Sequence, residues 1–308
     1  MEQPKGFSKG GPDQFVCKLK RFLYGLKQSP RKWYKRFDSY KFRIGYKWCK
    51  YDYCVYVRSL DDDSFIFLLL YVNDMLITSN HLCDVNELKS LLSKEFDMKD
   101  LGPTKMILGM EIHRNRKSRW LWLSQQGYVE KVLDKFNMSN AKLVSTPLEK
   151  HFKLSVNQCL KTNAEVECMS NVPYANAVGY LMYVMVCTIS NLAHAISTVC
   201  KFMSNSGKRH WEAVKWILRY LKVTIGHGIM FGDHQGDPSS VARYVNFGYA
   251  GDFDDKRSTT GHAFTLVSGL VCWNSIIQSL VTMWTIETEY MAVAGVNKEA
   301  VWLVGLVK

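Results

Sequence analysis

The chain has 308 residues, a formal net charge of +12, 47% hydrophobic and 22% charged residues. That composition excludes a disordered chain, which is poorer in apolar and aromatic residues, and a small disulfide-stapled module. The length is enough for two domains with cores of their own.

The charge is concentrated at one end. The first fifty residues hold 14 Lys and Arg against three acids (Glu2, Asp13 and Asp38), which is +11 of the +12. A local excess of this kind fits either a polyanion partner, most often nucleic acid, or a solvated basic face. The nine cysteines have no CxxC pair or regular spacing. They indicate a reducing compartment, with Cys17, Cys187 and Cys272 as small core hydrophobes. Zinc is not expected, because no Cys and His stand at finger spacing.

Residues 1–14 read as an extended or loop segment, and the polar Met1–Gly11 is no secretory signal. Ser29-Pro30 predicts a helix start, with serine as the N-cap and proline at the first helical position. Trp33, Phe37 and Tyr40 then form an apolar stripe flanked by Arg31, Lys32, Lys35 and Arg36. Such a helix can pack on one side and meet phosphate on the other. Phe65–Val72 and Met75–Thr78 are apolar runs joined by Asn73-Asp74, a tight-hairpin pattern that is also found in ordinary turns. Phe65–Val72 is too short to span a bilayer, and Gly179–Met203 carries polar residues and reads as buried helix.

Further helices are predicted around 84–96, 125–136, 174–186, 192–204 and 210–221, the last with Trp211, Val214, Ile217, Leu218 and Leu221 on one face. Residues 97–123 read as a mixed region. Residues 141–172 are polar and unpatterned, a linker or long connection. Gly232–Ser240 is a loop. Short strands follow around 243–247, 263–267 and 271–273, and a helix begins near Thr285.

At Leu23-Tyr-Gly-Leu-Lys-Gln-Ser-Pro-Arg31 and Tyr71-Val-Asn-Asp-Met75 the sequence resembles the reverse transcriptase of plant copia-type LTR retrotransposons. The resemblance continues through Leu108-Gly-Met-Glu-Ile112, Leu123-Ser-Gln-Gln-Gly-Tyr128 and Val144-Ser-Thr-Pro-Leu148. His210-Trp211 with Ile217–Lys222 matches the connecting region, and Ala250–Gly261 with Glu287-Thr-Glu-Tyr-Met-Ala292 matches the RNase H domain. The resemblance implies an α+β fold. A partial right-hand polymerase of palm, fingers and thumb over 1–147 is followed by a connection over 148–240 and a partial RNase H-like α/β domain over 241–308. Both activities of the family are two-metal phosphoryl chemistry, with carboxylates holding two Mg²⁺ ions.

Set against that pattern, the chain is short of acids. The polymerase of the family uses three aspartates. The first falls upstream of Met1, Asn73 stands for the second, and only Asp74 is left. The RNase H of the family uses four acids. Asn246 and Gly248 replace two aspartates of its first strand, Glu289 matches the helix glutamate, and the rest fall beyond Lys308. Asp74 and Glu289 are therefore remnants of catalytic and metal-binding positions, and Mg²⁺ is not expected to be retained. Asp252, Asp254 and Asp255 are assigned to a turn rather than to substitute ligands. Departures at Ile189-Ser190-Asn191, Ser206 and Val223 fit the same drift.

Lys27, Gln28 and Arg31 fall in the segment that holds template and incoming nucleotide in the family, and Lys32, Lys35 and Arg36 extend it. Tyr24, Trp33 and Tyr34 either stack on bases or pack in the core. The expected partners are RNA and DNA, as template-primer or hybrid, inside the cell and not at a membrane. Two functions remain open at this point. One is a catalytically impaired reverse transcriptase/RNase H fragment. The other is a non-catalytic nucleic-acid-binding protein that uses the basic segment 1–50.

Overall fold

The computed structural model describes residues 18, 26–60, 64–72, 74–232 and 240–307. It is a mixed α/β protein with antiparallel sheets and eight α-helices among the described residues. It divides into two compact units, Met1–Asp100 and Leu101–Lys308.

In the first unit, helix α1 (Ser29–Arg43) precedes strands β1 (Lys47–Trp48), β2 (Val55–Ser59), β3 (Phe65–Tyr71) and β4 (Asp74–Thr78), and helix α2 (Leu82–Glu95) follows. The strands form one antiparallel sheet in the order β1-β2-β3-β4. Alternation along β3 decides which face is covered: Ile66, Leu68 and Leu70 are buried, while Phe65, Phe67 and Tyr71 are exposed. The buried set packs against Phe37 and Tyr40 of α1 and Leu88 and Leu92 of α2, so both helices lie on one face of the sheet. The apolar stripe of α1 is as expected, with Trp33 stacked on Phe37 at 5.1 Å. Its start is one residue off. Gln28 is the N-cap residue, and Ser29 and Pro30 lie in the first turn with no side-chain cap.

In the second unit, β5 (Met106–Ile107), β6 (Met110–Asn115) and β7 (Trp120–Ser124) form an antiparallel meander, and α3 (Gln126–Lys135) follows. The fourth strand of this sheet, β8 (Gly228–Phe231), comes from far along the chain and pairs with β7, Ser124 opposite Gly228. Only glycine fits at 228, since a Cβ there would collide with the Leu123 carbonyl and the Trp122 ring. Between β7 and β8 lie the helices α4 (Asn163–Met169), α5 (Tyr174–Cys187), α6 (Ala193–Cys200) and α7 (Lys208–Val223). Their core joins Leu181, Leu192, Ile196, Val214, Ile217 and Leu218 to Val129, Val132 and Leu133 of α3. The stretch read as a linker takes part in this core. Phe152 and Leu154 are buried in it, and α4 carries a capping box in which Thr162 and Glu165 satisfy each other's backbone N–H groups.

The last layer is a three-stranded antiparallel sheet, β11-β10-β9, made of β9 (Val241–Gly248), β10 (Thr259–Leu266) and β11 (Gly269–Ile277). It is followed by α8 (Thr285–Val307). Phe264 of β10 and Val241 of β9 pack with Val296, Ala300 and Leu303 of α8 on one face. Helix α6 packs along β11, and the Trp273 indole N–H donates to the Met185 carbonyl of α5 at 3.0 Å. By length and composition α8 could cross a membrane. Here its stripe of Thr288, Ala292, Val296, Ala300 and Leu303 is buried within the unit.

Candidate functional site

All six residues of the basic segment, Lys27, Gln28, Arg31, Lys32, Lys35 and Arg36, are exposed, on α1 or just before it. Their commitments differ. Arg36 donates to the Glu95 carboxylate and carbonyl on α2, both at 3.3 Å, and Arg43 reaches the same carboxylate at 3.2 Å. Gln28 supplies the first helical carbonyl, which accepts from the Lys32 N–H at 3.1 Å. Among the described residues no acid pairs with Arg31 or Lys35. These two stand at i and i+4 on one face, which leaves a pair of guanidinium and ammonium groups open to phosphate. Trp33 belongs to the core, and Tyr34 shares a hydrogen bond with the Tyr56 hydroxyl at 3.1 Å. Tyr24 lies outside the described residues.

The hairpin turn lies one residue earlier than the sequence reading placed it. Asp74 is already in β4, opposite Tyr71, so the two linking positions are 72 and 73. Asn73 itself lies outside the described residues. Val72 sits in the left-handed region at φ 52°, an uncommon state for a β-branched residue. Met75 and Ile77 pack toward the helices. By alternation Asp74, Leu76 and Thr78 take the uncovered face of the sheet, with Phe67 and Tyr71 of β3 beside them. Asp74 is therefore an exposed carboxylate at the tip of an open sheet face.

At the far end of the chain, Asn246 and Gly248 are both exposed on β9, opposite Gly261 and Thr259 of β10. Val241 faces α8, so by alternation Asn246 and Gly248 take the other face. Glu289 lies in the second turn of α8, exposed, at the flank of the buried stripe. The apolar residues around it, Ile286, Tyr290, Val293 and Ala294, are exposed, and the packed stripe begins at Thr288. The Gln278 amide ties Thr260 of β10 to the Thr288 carbonyl, both at 3.0 Å, and the Tyr249 hydroxyl donates to the Met283 carbonyl at 2.9 Å. The start of α8 thus meets the end of β9. Glu289 and Asn246 share one end of the sheet but not one face.

The acids of the neighbouring turn have structural partners. Asp252 is buried and pairs with Lys201 of the helical region at 2.8 Å. Asp254 accepts from the Ser155 hydroxyl at 2.8 Å and from the Val156 N–H at 3.0 Å. Asp255 lies 3.7 Å from Arg257. These carboxylates hold the turn to the helices. Among the described residues no three His, Cys, Asp or Glu side chains gather as metal ligands. A two-metal carboxylate site does not fit the donors at hand: Asp74 beside an amide at one locus, and Glu289 beside an amide and a glycine at the other.

A further basic surface lies in the region read only as mixed. The β6–β7 hairpin carries His113, Arg114, Arg116 and Lys117, which with Lys105 and Trp120 line an open groove of about 690 Å³. The signal was available in the run His113–Arg119, which holds four Lys and Arg and no acid.

Residues 1–150 match the family described as reverse transcriptase (RNA-dependent DNA polymerase). The chain is 50% identical, over 98% of its length, to the retrovirus-related Pol polyprotein from transposon TNT 1-94 of Nicotiana tabacum. It is 34% identical, over 99% of its length, to the retrovirus-related Pol polyprotein from transposon RE1 of Arabidopsis thaliana. It covers 23% and 20% of those two proteins, about a fifth to a quarter of their length. An uncharacterized mitochondrial protein of Arabidopsis thaliana is 33% identical over 77% of this chain and 94% of its own length. No solved structure matches the chain.

Proposed function

We propose how this chain works from one fact: it belongs to the reverse transcriptase family of copia-type plant retrotransposon Pol polyproteins. It binds RNA and DNA, as template-primer or hybrid, and carries little polymerase or RNase H chemistry of its own. The observation that carries this reading is the donor set of the hairpin, where Asn73 precedes Asp74. An amide can ligate Mg²⁺ through its oxygen but brings no charge, and Mg²⁺ favours anionic oxygens. Asn246 and Gly248 weaken the second site in the same way.

The finer assignment follows the same family pattern. Residues 1–147 are the polymerase part, 148–240 the connection and 241–308 the RNase H-like part. The palm reading is supported by a four-stranded antiparallel sheet, two helices on one face and Asp74 at the tip of the other. The RNase H reading is supported by three antiparallel strands followed by a long helix that carries Glu289. We place the protein inside the cell with its nucleic acid, on the strength of cysteines without paired spacing.

Primer extension and RNA–DNA hybrid cleavage, each with Mg²⁺ and with Mn²⁺, test the reading. The unaltered chain should give no metal-dependent turnover in either assay, and robust turnover in one of them refutes it. The alternative of a binding protein without catalysis is favoured by Arg31 and Lys35, which keep no acidic partner among the described residues. It separates from impaired catalysis through N73D: extension gained by that variant indicates a damaged polymerase rather than a dedicated binding protein.

A further inference from the structure

Helix α1 does not end its exposed face at the cations. Arg31, Lys35 and Phe42 stand at i, i+4 and i+11, within one face of a 3.6-residue helix and along roughly 16 Å of its axis. Phe42 meets Trp48 of β1 edge to face at 4.8 Å and 86°. Trp48 meets Tyr53 in the same manner at 6.1 Å and 89°. Apolar rings of this size normally bury themselves. Here Phe42 is 42%, Trp48 44% and Tyr53 72% exposed.

The cluster is held in place from below. The Trp48 indole N–H donates to Asp38 Oδ1 at 3.1 Å, and the Tyr56 hydroxyl donates to the same oxygen at 3.1 Å. Lys47 and Lys50, next to Trp48 along the chain, are exposed, while the nearby carboxylates are held in hydrogen bonds: Asp38 as described, and Asp52, whose Oδ1 accepts from the Cys54 N–H at 2.8 Å. Fixed, open aromatic faces with cations along one track match the requirements of a single strand, whose bases stack on rings while its phosphates meet Lys and Arg. A neutral or acidic protein surface would use the rings but leave the track of cations from Arg31 onward unexplained.

We propose that Phe42, Trp48 and Tyr53 form a stacking platform for the bases of single-stranded RNA or DNA, continuous with the phosphate contacts of Arg31 and Lys35. The platform lies at the opposite end of α1 from Lys27 and Gln28. It rests on the reading of the chain as a nucleic-acid-binding protein and adds to it a second, base-contacting locus.

The test uses the full chain, a fluorescein-labelled oligouridine for affinity and a 4-thiouridine oligonucleotide for zero-length photocrosslinking. Tyr53→Ala should weaken binding by about five- to a hundredfold without changing the salt slope, because a stacking contact releases no counterion. Trp48→Phe, which keeps a ring, should stay within about threefold of wild type, and Trp48→Ala should resemble Tyr53→Ala. Crosslinks should fall within residues 42–53. Wild-type affinity in both alanine variants, with crosslinks confined to 27–36, overturns the platform and leaves the binding reading intact. Self-association that Tyr53→Ala abolishes, with affinity unchanged, overturns it in favour of a contact between copies. No oligonucleotide binding by the unaltered chain removes both.

Discussion

Lys41 offers the sharpest test of the first unit. It is the one α1 cation that faces inward, fully buried, with its ammonium against the Tyr56 ring and 4.2 Å from the centroid of Phe37. Its Nζ has no hydrogen-bond partner. Burial lowers its pKa from the ordinary 10.5 to about 7, against the pull of Asp38 and Cys54 in the other direction. The sign follows from proton counting. Between about pH 7 and 10.5 the unfolded chain carries a proton on this amine that the folded chain lacks, so stability rises with pH across that window. Below pH 7 both states are charged and the full burial penalty applies. A displacement from 10.5 to about 7 corresponds to at most about 5 kcal/mol of penalty. Tyr46, raised by burial to about 12, and Tyr56, raised further, act in the opposite sense only once the unfolded phenols titrate near pH 10.

Lys41→Met keeps the length of the side chain and removes the charge. At pH 6 it should raise the stability of the unit by about 2–4 kcal/mol. Across pH 6 to 9.5 the wild type should gain stability relative to the variant until the two converge. Urea titrations followed by far-ultraviolet circular dichroism measure both curves. Parallel pH profiles for wild type and Lys41→Met would refute the reasoning, because they would mean that the amine is protonated in the folded state throughout.

The other predictions are simpler. Leu218→Ala, at a fully buried position between the helices of the second unit, should cost about 2–5 kcal/mol in a urea titration of that unit. Asp254→Ala removes the acceptor of Ser155 and Val156 and should cost about 1–3 kcal/mol, with faster amide exchange at Val156 read by mass spectrometry. Arg31→Ala with Lys35→Ala should reduce the salt slope of single-strand binding by about 1.4, at about 0.7 per phosphate contact. Arg36→Ala, whose partner is the exposed Glu95 pair, should change stability by less than about 1 kcal/mol.

Local patterns in the sequence reached as far as local forces do. The stripe of Trp33, Phe37 and Tyr40 and the face of Val214, Ile217, Leu218 and Leu221 are burial periodicities, and both appear where they were expected. The alternation around 243–247 and 263–267 likewise became β9 and β10. The failures share a cause, which is pairing over distance. The strands β5 to β7 are short, and what makes them a sheet is partly β8, supplied from residue 228 onward. Phe152 and Leu154 look unpatterned alone and become core only when the helices of 174–223 surround them. On α8 nearly every face is apolar, so composition could not say which one packs, and the stripe from Thr288 was decided by the sheet. At the candidate site the residue types were legible and their commitments were not. Nothing in the sequence sets Arg36 on Glu95, Asp252 on Lys201 or Trp48 on Asp38.

The late arrival of β8 also sets a clock. Ser124 leaves the ribosome about a hundred residues ahead of its partner Gly228, and at the usual ~5–20 residues per second of synthesis that is an interval of roughly 5–20 s. Throughout it the Trp-Leu-Trp-Leu of β7 has an open hydrogen-bonding edge, of the apolar kind that recruits other chains. Each newly made copy passes through that interval before its own β8 can close the sheet.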